Sequence, residues 1–113
     1  MIISFDFDST LDLEWVQNIA RIFIKSNCEV HITTSRCKGP NIDLYKVANE
    51  LGIDRINFTE GASKSEILKL IQADIHFDDM EDEVYLINRN TNCNALLVGF
   101  NMEFVNYLFN NKI

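Results

Sequence analysis

Short apolar runs alternate along the chain with stretches in which apolar residues recur at helical spacing. The first run, Ile2–Asp6, predicts a strand, and further strands are predicted at Glu29–Thr33, Arg55–Thr59, Ile75–Asp78 and Ala95–Gly99. Between the first two, Val16, Ile19, Ala20 and Phe23 mark one face of a helix. Leu44, Val47, Ala48 and Leu51 mark a second, with Gly52 placed to end it. Ser63-Lys64-Ser65-Glu66 fits a capping box ahead of the stripe Ile67, Leu68 and Ile71. A short helix is predicted over Glu81–Asn88, and a last one around Met102–Phe109 with Asn101 as its N-cap. Strand–helix alternation with short connections predicts right-handed crossovers and an α/β fold: a mainly parallel, doubly wound sheet of about five strands with helices on both faces. The pattern shows no second domain, repeat or linker, so residues 1–113 read as one domain.

The first strand carries the most chemistry. It delivers Asp6 to its end, and Asp8 follows at i+2, so in extended backbone the two acids share a face while Phe5 and Phe7 take the other. Two carboxylates at the end of a buried strand must bind a cation or share a proton. In an open parallel sheet that edge is where ligands sit. The plainer alternative is a strand followed by an Asp-rich turn, since Asp, Ser and Thr are common in turns and as helix caps.

Composition narrows the class. With 113 residues and 47% hydrophobic positions, the chain can bury one core and is not a disordered segment. The net charge of −7 argues against broad non-specific nucleic-acid binding, although it leaves room for a local basic patch. Much of the excess acid falls at Asp6 to Glu14 and at Asp78 to Glu83, where a divalent cation would offset part of it. No apolar stretch approaches membrane-spanning length and no leader pattern opens the sequence, so a soluble, cytoplasmic protein is expected. Cys28, Cys37 and Cys93 are odd in number, lack metal-ligand spacing and read as free thiols.

Three further features fall at or beside the ends of later predicted strands. Thr34 follows the second strand, Lys64 lies at the start of a capped helix, and Asp78-Asp79 ends the fourth strand. Alone, each has an ordinary explanation: a turn residue, a solvated lysine, a solvated acidic helix start. Lys64 is the least comfortable of these, because a cation in the first turn opposes the helix dipole, which hints at a local anionic partner.

In order along the chain, the apolar strand with Asp-x-Asp-x-Thr, the strand with Thr, the helix-start Lys and the strand with Asp-Asp resemble the four motifs of the haloacid dehalogenase superfamily. The resemblance runs from Ile2 to about Asp82. It implies a Rossmann-like domain whose four motifs meet at one Mg²⁺ site. By that resemblance Asp6 is the nucleophile forming an aspartyl-phosphate, Asp8 the general acid and base, Thr34 a phosphoryl ligand and Lys64 its counter-charge. The metal ligands would be Asp6, Asp8 through its backbone carbonyl, Asp78 and Asp79. Ser9, Thr10, Ser35 and Arg36 would line the substrate site. Ser9 stands where the family often has Gly. The segment after Thr10 is short and no insertion is large enough for a cap domain, which implies an open site. Thr34-Ser35-Arg36, followed by Lys38, resembles phosphatases acting on nucleotides or nucleic-acid ends.

The resulting expectation is a Mg²⁺-dependent phosphomonoester phosphatase, a hydrolase acting on a phosphorylated substrate such as a nucleotide or polynucleotide end. The alternatives are a phosphotransferase with the same intermediate and a non-catalytic phosphate- or protein-binding module. No membrane partner is expected, and homodimerisation is left open.

Overall fold

A computed structural model describes residues 1–99. The helix expected around Met102–Phe109, with Asn101 as cap, lies outside the described residues. The remaining elements follow the predicted order: β1 (Ile2–Phe5), α1 (Glu14–Lys25), β2 (Glu29–Thr34), α2 (Ile42–Leu51), β3 (Arg55–Phe58), α3 (Ser65–Leu70), β4 (Ile75–Asp78), α4 (Glu81–Asn90) and β5 (Asn94–Leu97). The strands form one sheet in the order β3-β2-β1-β4-β5, and every pairing is parallel. This is the doubly wound, Rossmann-like α/β architecture. From β1 the chain winds outward to β2 and β3, then returns past β1 to β4 and β5. The point of reversal lies between β1 and β4, the place where such sheets open a crevice at their carboxyl edge.

Alternation along the strands decides what each face buries. Ile3 and Phe5 of β1, Ile32 of β2 and Phe77 of β4 pack against Val16 and Ala20 of α1 and Leu44 and Ala48 of α2. Phe5 and Phe77 stack with centroids 4.8 Å apart, a contact worth more than the area it covers. The other apolar cluster joins Leu68 of α3, Ile87 of α4 and Ala95 of β5, with Ile2 packed against it. Helices therefore cover both faces. On this second side β1 presents Ser4, which is fully buried and shares a 2.8 Å hydrogen bond with Thr33.

Gly52 ends α2 with φ +77°, the left-handed conformation that glycine adopts without steric cost. The capping box at α3 does not form. Lys64 rather than Ser63 is the residue before the helix, Ser63 Oγ accepts from the Ser65 N–H (3.3 Å), and Glu83 of α4 takes the Lys64 N–H at 2.7 Å. A tertiary partner has displaced the local one. No helix among the described residues is long and apolar enough to cross a membrane.

Candidate functional site at the carboxyl edge of β1 and β4

Asp6 follows β1 and Asp78 ends β4, so the point of reversal sets the two acids side by side. Asp6 N–H donates to the Phe77 carbonyl (2.8 Å), which extends the strand pairing to the edge. Behind Asp6 the chain turns sharply over Phe7–Leu11: the Leu11 N–H donates to the Asp6 carbonyl and the Asp12 N–H to the Phe7 carbonyl, each at 3.1 Å. Ser9 takes φ +58°, so the position where the resembled family often carries Gly does require left-handed backbone. Thr10 is buried, with its hydroxyl 3.4 Å from Asp6 Oδ2.

Lys64 reaches into the same space. Its Nζ donates to Asp6 Oδ1 at 2.8 Å and to Asp78 Oδ2 at 2.6 Å, with all three side chains buried. Asp78 also accepts from His76 Nε2 at 2.9 Å and from the Met80 N–H at 3.0 Å. One carboxylate oxygen each from Asp6, Asp78 and Asp79 lies within 4.8 Å of the others. The expected Asp6, Lys64, Asp78 and Asp79 thus meet at one place.

Electrostatics separate the two buried acids. Burial pushes Asp6 up to about 7 against the pull of Lys64, and the charge on Asp78 adds to the rise. Burial also works against an ionised Asp78, but the bond from His76 and the charge of Lys64 outweigh it and hold Asp78 below its usual range. Burial pulls Lys64 down, and Asp6 and Asp78 more than compensate, so it stays charged. One ammonium therefore neutralises one carboxylate, Asp78, and the remaining acids stay short of positive charge. That donor set of hard oxygens suits a divalent cation. Among the described residues Asp78 Oδ1 accepts a single hydrogen bond and Asp6 Oδ2 has only the long contact to Thr10, so both keep lone pairs for one.

The expected residues of the 34–36 segment and Asp8 form a separate group. Arg36 donates Nε and Nη2 to the two oxygens of Asp8 (3.0 and 2.7 Å) and Nη1 and Nη2 to those of Asp43 (both 2.8 Å), and it lies 5.0 Å above the Phe7 ring. Asp43 holds the guanidinium above its usual range, Asp8 adds to this, and Arg36 lowers Asp43 to about 2. The Asp8 side chain is thus paired with Arg36 and is not among the three clustered carboxylates. Thr34 is fully buried and its Oγ1 accepts the Arg36 N–H at 3.2 Å. Ser35, beside it, is exposed, and its carbonyl accepts the Gly61 N–H. Two functional-site neighbours were not anticipated. Asp43 lies in the first turn of α2, where an acid is favourable with the helix dipole and draws no notice. His76 lies inside an apolar strand.

No known family profile matches the chain, and no curated protein matches it either. Among solved structures it is similar to a universal stress protein in complex with cAMP. The TM-score is 0.55 at 14% identity, over 88% of this chain and 96% of that one. The likeness is one of fold. It corrects the family expectation: the similar structure is a universal stress protein and not a haloacid dehalogenase, and the assignment as an enzyme, a hydrolase or phosphatase working through an aspartyl-phosphate, falls with it. The physical reason is topological. Any sheet wound in this order gathers the residues after β1, β2 and β4 at one edge, so motif order follows from winding and does not fix chemistry. The Asp8 carboxylate, expected as a general acid and base, is instead taken up by Arg36.

Proposed function

We propose that the chain is a nucleotide-binding module that holds the phosphate of a mononucleotide at the carboxyl edge between β1 and β4, with the help of a Mg²⁺ ion. The observation that carries this is the convergence of Asp6, Asp78 and Asp79 within 4.8 Å at the topological switch point, with one ammonium among them. Asp6, Asp78 and Asp79 would hold the cation. When bound, it supplies the positive charge that lets a phosphate approach an acidic edge. Lys64 keeps the buried acids from repelling one another. Arg36 adds a cation on the β2–α2 connection, next to β1 in the sheet, and Ser9, in the turn after β1, and Ser35, beside Arg36, offer hydroxyls. The cAMP bound by the similar universal stress protein supports the ligand class.

Calorimetric titration of the chain with cAMP, AMP and ATP, in Mg²⁺ and again in EDTA, tests it. Saturable binding of at least one nucleotide in Mg²⁺, lost or much weakened in EDTA and in Asp78→Asn, is expected. No nucleotide binding in either buffer would overturn the proposal.

A further inference from the structure

A line of hydrogen-bonded polar side chains crosses the sheet and ends on Asp78. His76 is fully buried, with Nδ1 3.0 Å from Ser4 Oγ and Nε2 2.9 Å from Asp78 Oδ2. Ser4 Oγ lies 2.8 Å from Thr33 Oγ1, and Asn57 Nδ2 donates to Thr33 Oγ1 at 3.3 Å. The residues come from β1, β2, β3 and β4, paired side by side in register: Ser4 opposite His76 and Thr33 opposite Asn57. They project from the sheet face opposite Ile3, Phe5 and Phe77. Ser4, Thr33 and His76 are buried and Asn57 half-buried, and polar side chains so withdrawn from water are costly unless satisfied.

With Asp78 ionised and His76 neutral, one arrangement of protons satisfies every contact in this line. An ionised Asp78 accepts and cannot donate, so His76 Nε2 must carry a hydrogen. A neutral imidazole carries only one, so Nδ1 is bare and must accept from Ser4. A hydroxyl has one proton, so Ser4 accepts from Thr33, and Thr33 accepts from the Asn57 amide. All donors point the same way, toward Asp78.

We infer that Asn57, Thr33, Ser4 and His76 form a one-way hydrogen-bond chain that fixes the His76 tautomer and so orients Asp78 as a cation ligand. These are positioning residues, and none of them touches the ligand. The inference rests on Asp78 holding the cation. It adds that the geometry of that ligand is set from β3, at the far edge of the sheet. Groups behind a metal ligand commonly tune affinity ten- to a hundredfold.

Two measurements test it. The first is the imidazole ¹⁵N spectrum of the metal-free protein at neutral pH. The expected state is neutral His76 with the proton on Nε2, with Ser4→Ala releasing the ring to the other tautomer or a mixture. An Nδ1–H or doubly protonated His76 in the wild type would overturn the chain. The second is the Mg²⁺ dissociation constant. His76→Phe should weaken it about tenfold or more, while His76→Gln, whose amide can both donate to Asp78 and accept from Ser4, should stay within about threefold of wild type. Wild-type binding that His76→Phe leaves unchanged would sink the positioning role alone. Absence of Mg²⁺ binding in the wild type would sink the cation site and this role together.

Discussion

Lys64 Nζ lies 2.6 Å from Asp78 Oδ2, in an ion pair whose two side chains are almost wholly withdrawn from water. Its Coulombic gain is set against two desolvation penalties, so the pair itself is not a large source of stability. Breaking it from one side is another matter. Lys64→Met leaves Asp6 and Asp78 buried against each other without a counter-charge, and removing one partner of such a pair costs about 3–5 kcal/mol. A clear fall in thermal midpoint is expected in EDTA, with part of the loss recovered in millimolar Mg²⁺. Melts of the variant that match wild type in EDTA would contradict the account of the cluster.

Asp6→Asn should act in the opposite direction at neutral pH and above. The folded state raises Asp6 from about 4 to about 7, so the folded protein binds that proton more tightly than the unfolded chain does. Its contribution is fully present below pH 4 and is lost as pH rises through 7. Asparagine removes the penalty of ionising a buried acid. In EDTA the midpoint of Asp6→Asn minus that of wild type should therefore grow between pH 5 and pH 8 and be smallest at the acid end. The difference between the two proteins cancels other titrating groups, His76 among them. A difference that shrinks with rising pH would show that Lys64 dominates Asp6.

Much of the fold was legible because a buried strand and an amphipathic helix write different periods into the chain. Ile75–Asp78 was bounded to the residue, and Gly52 marked the end of α2 through its left-handed backbone. The failures have physical causes. The local capping pattern at Ser63 gave way to Glu83, a partner twenty residues on that no local rule can anticipate. The unfavourable place of Lys64 did announce a hidden anionic partner, and the structure supplies two. Asp43 left no trace because an acid in a first helical turn explains itself. The chemistry was over-read for a different reason: the order of Asp6, Thr34, Lys64 and Asp78 follows from how the sheet is wound, and several chemistries can occupy such an edge.

The Arg36 guanidinium is shared between Asp8 and Asp43, and both acids sit at the surface. Under the nucleotide-binding proposal a phosphate must compete with them. Asp43→Asn should free the guanidinium in part and tighten nucleotide binding a few-fold at low salt, with the gain shrinking at high salt as exposed charges are screened. Arg36→Ala should weaken it. Calorimetric titrations at two ionic strengths check both, and equal affinities in all three proteins would remove Arg36 from the site.

Phe77 links the core to the site, because its ring stacks on Phe5 while its carbonyl accepts the Asp6 N–H. Phe77→Ala should cost about 3–5 kcal/mol, read by urea unfolding, as for other buried aromatic rings cut to alanine. Phe77→Leu should cost much less. A small loss in Phe77→Ala would mean that the ring is not the packing bridge between β1, β4 and α1.

The most direct test of the account is where a cation binds. Mn²⁺ added in small amounts to the isotope-labelled protein broadens the NMR signals of nearby nuclei. With and without a nucleotide, the signals of Asp6, Asp78, Asp79 and their immediate neighbours should broaden first, and excess Mg²⁺ should restore them. Broadening that begins instead at the exposed acids Glu81 and Asp82 or Asp12 and Glu14, or that spares the edge between β1 and β4, would contradict the central claim.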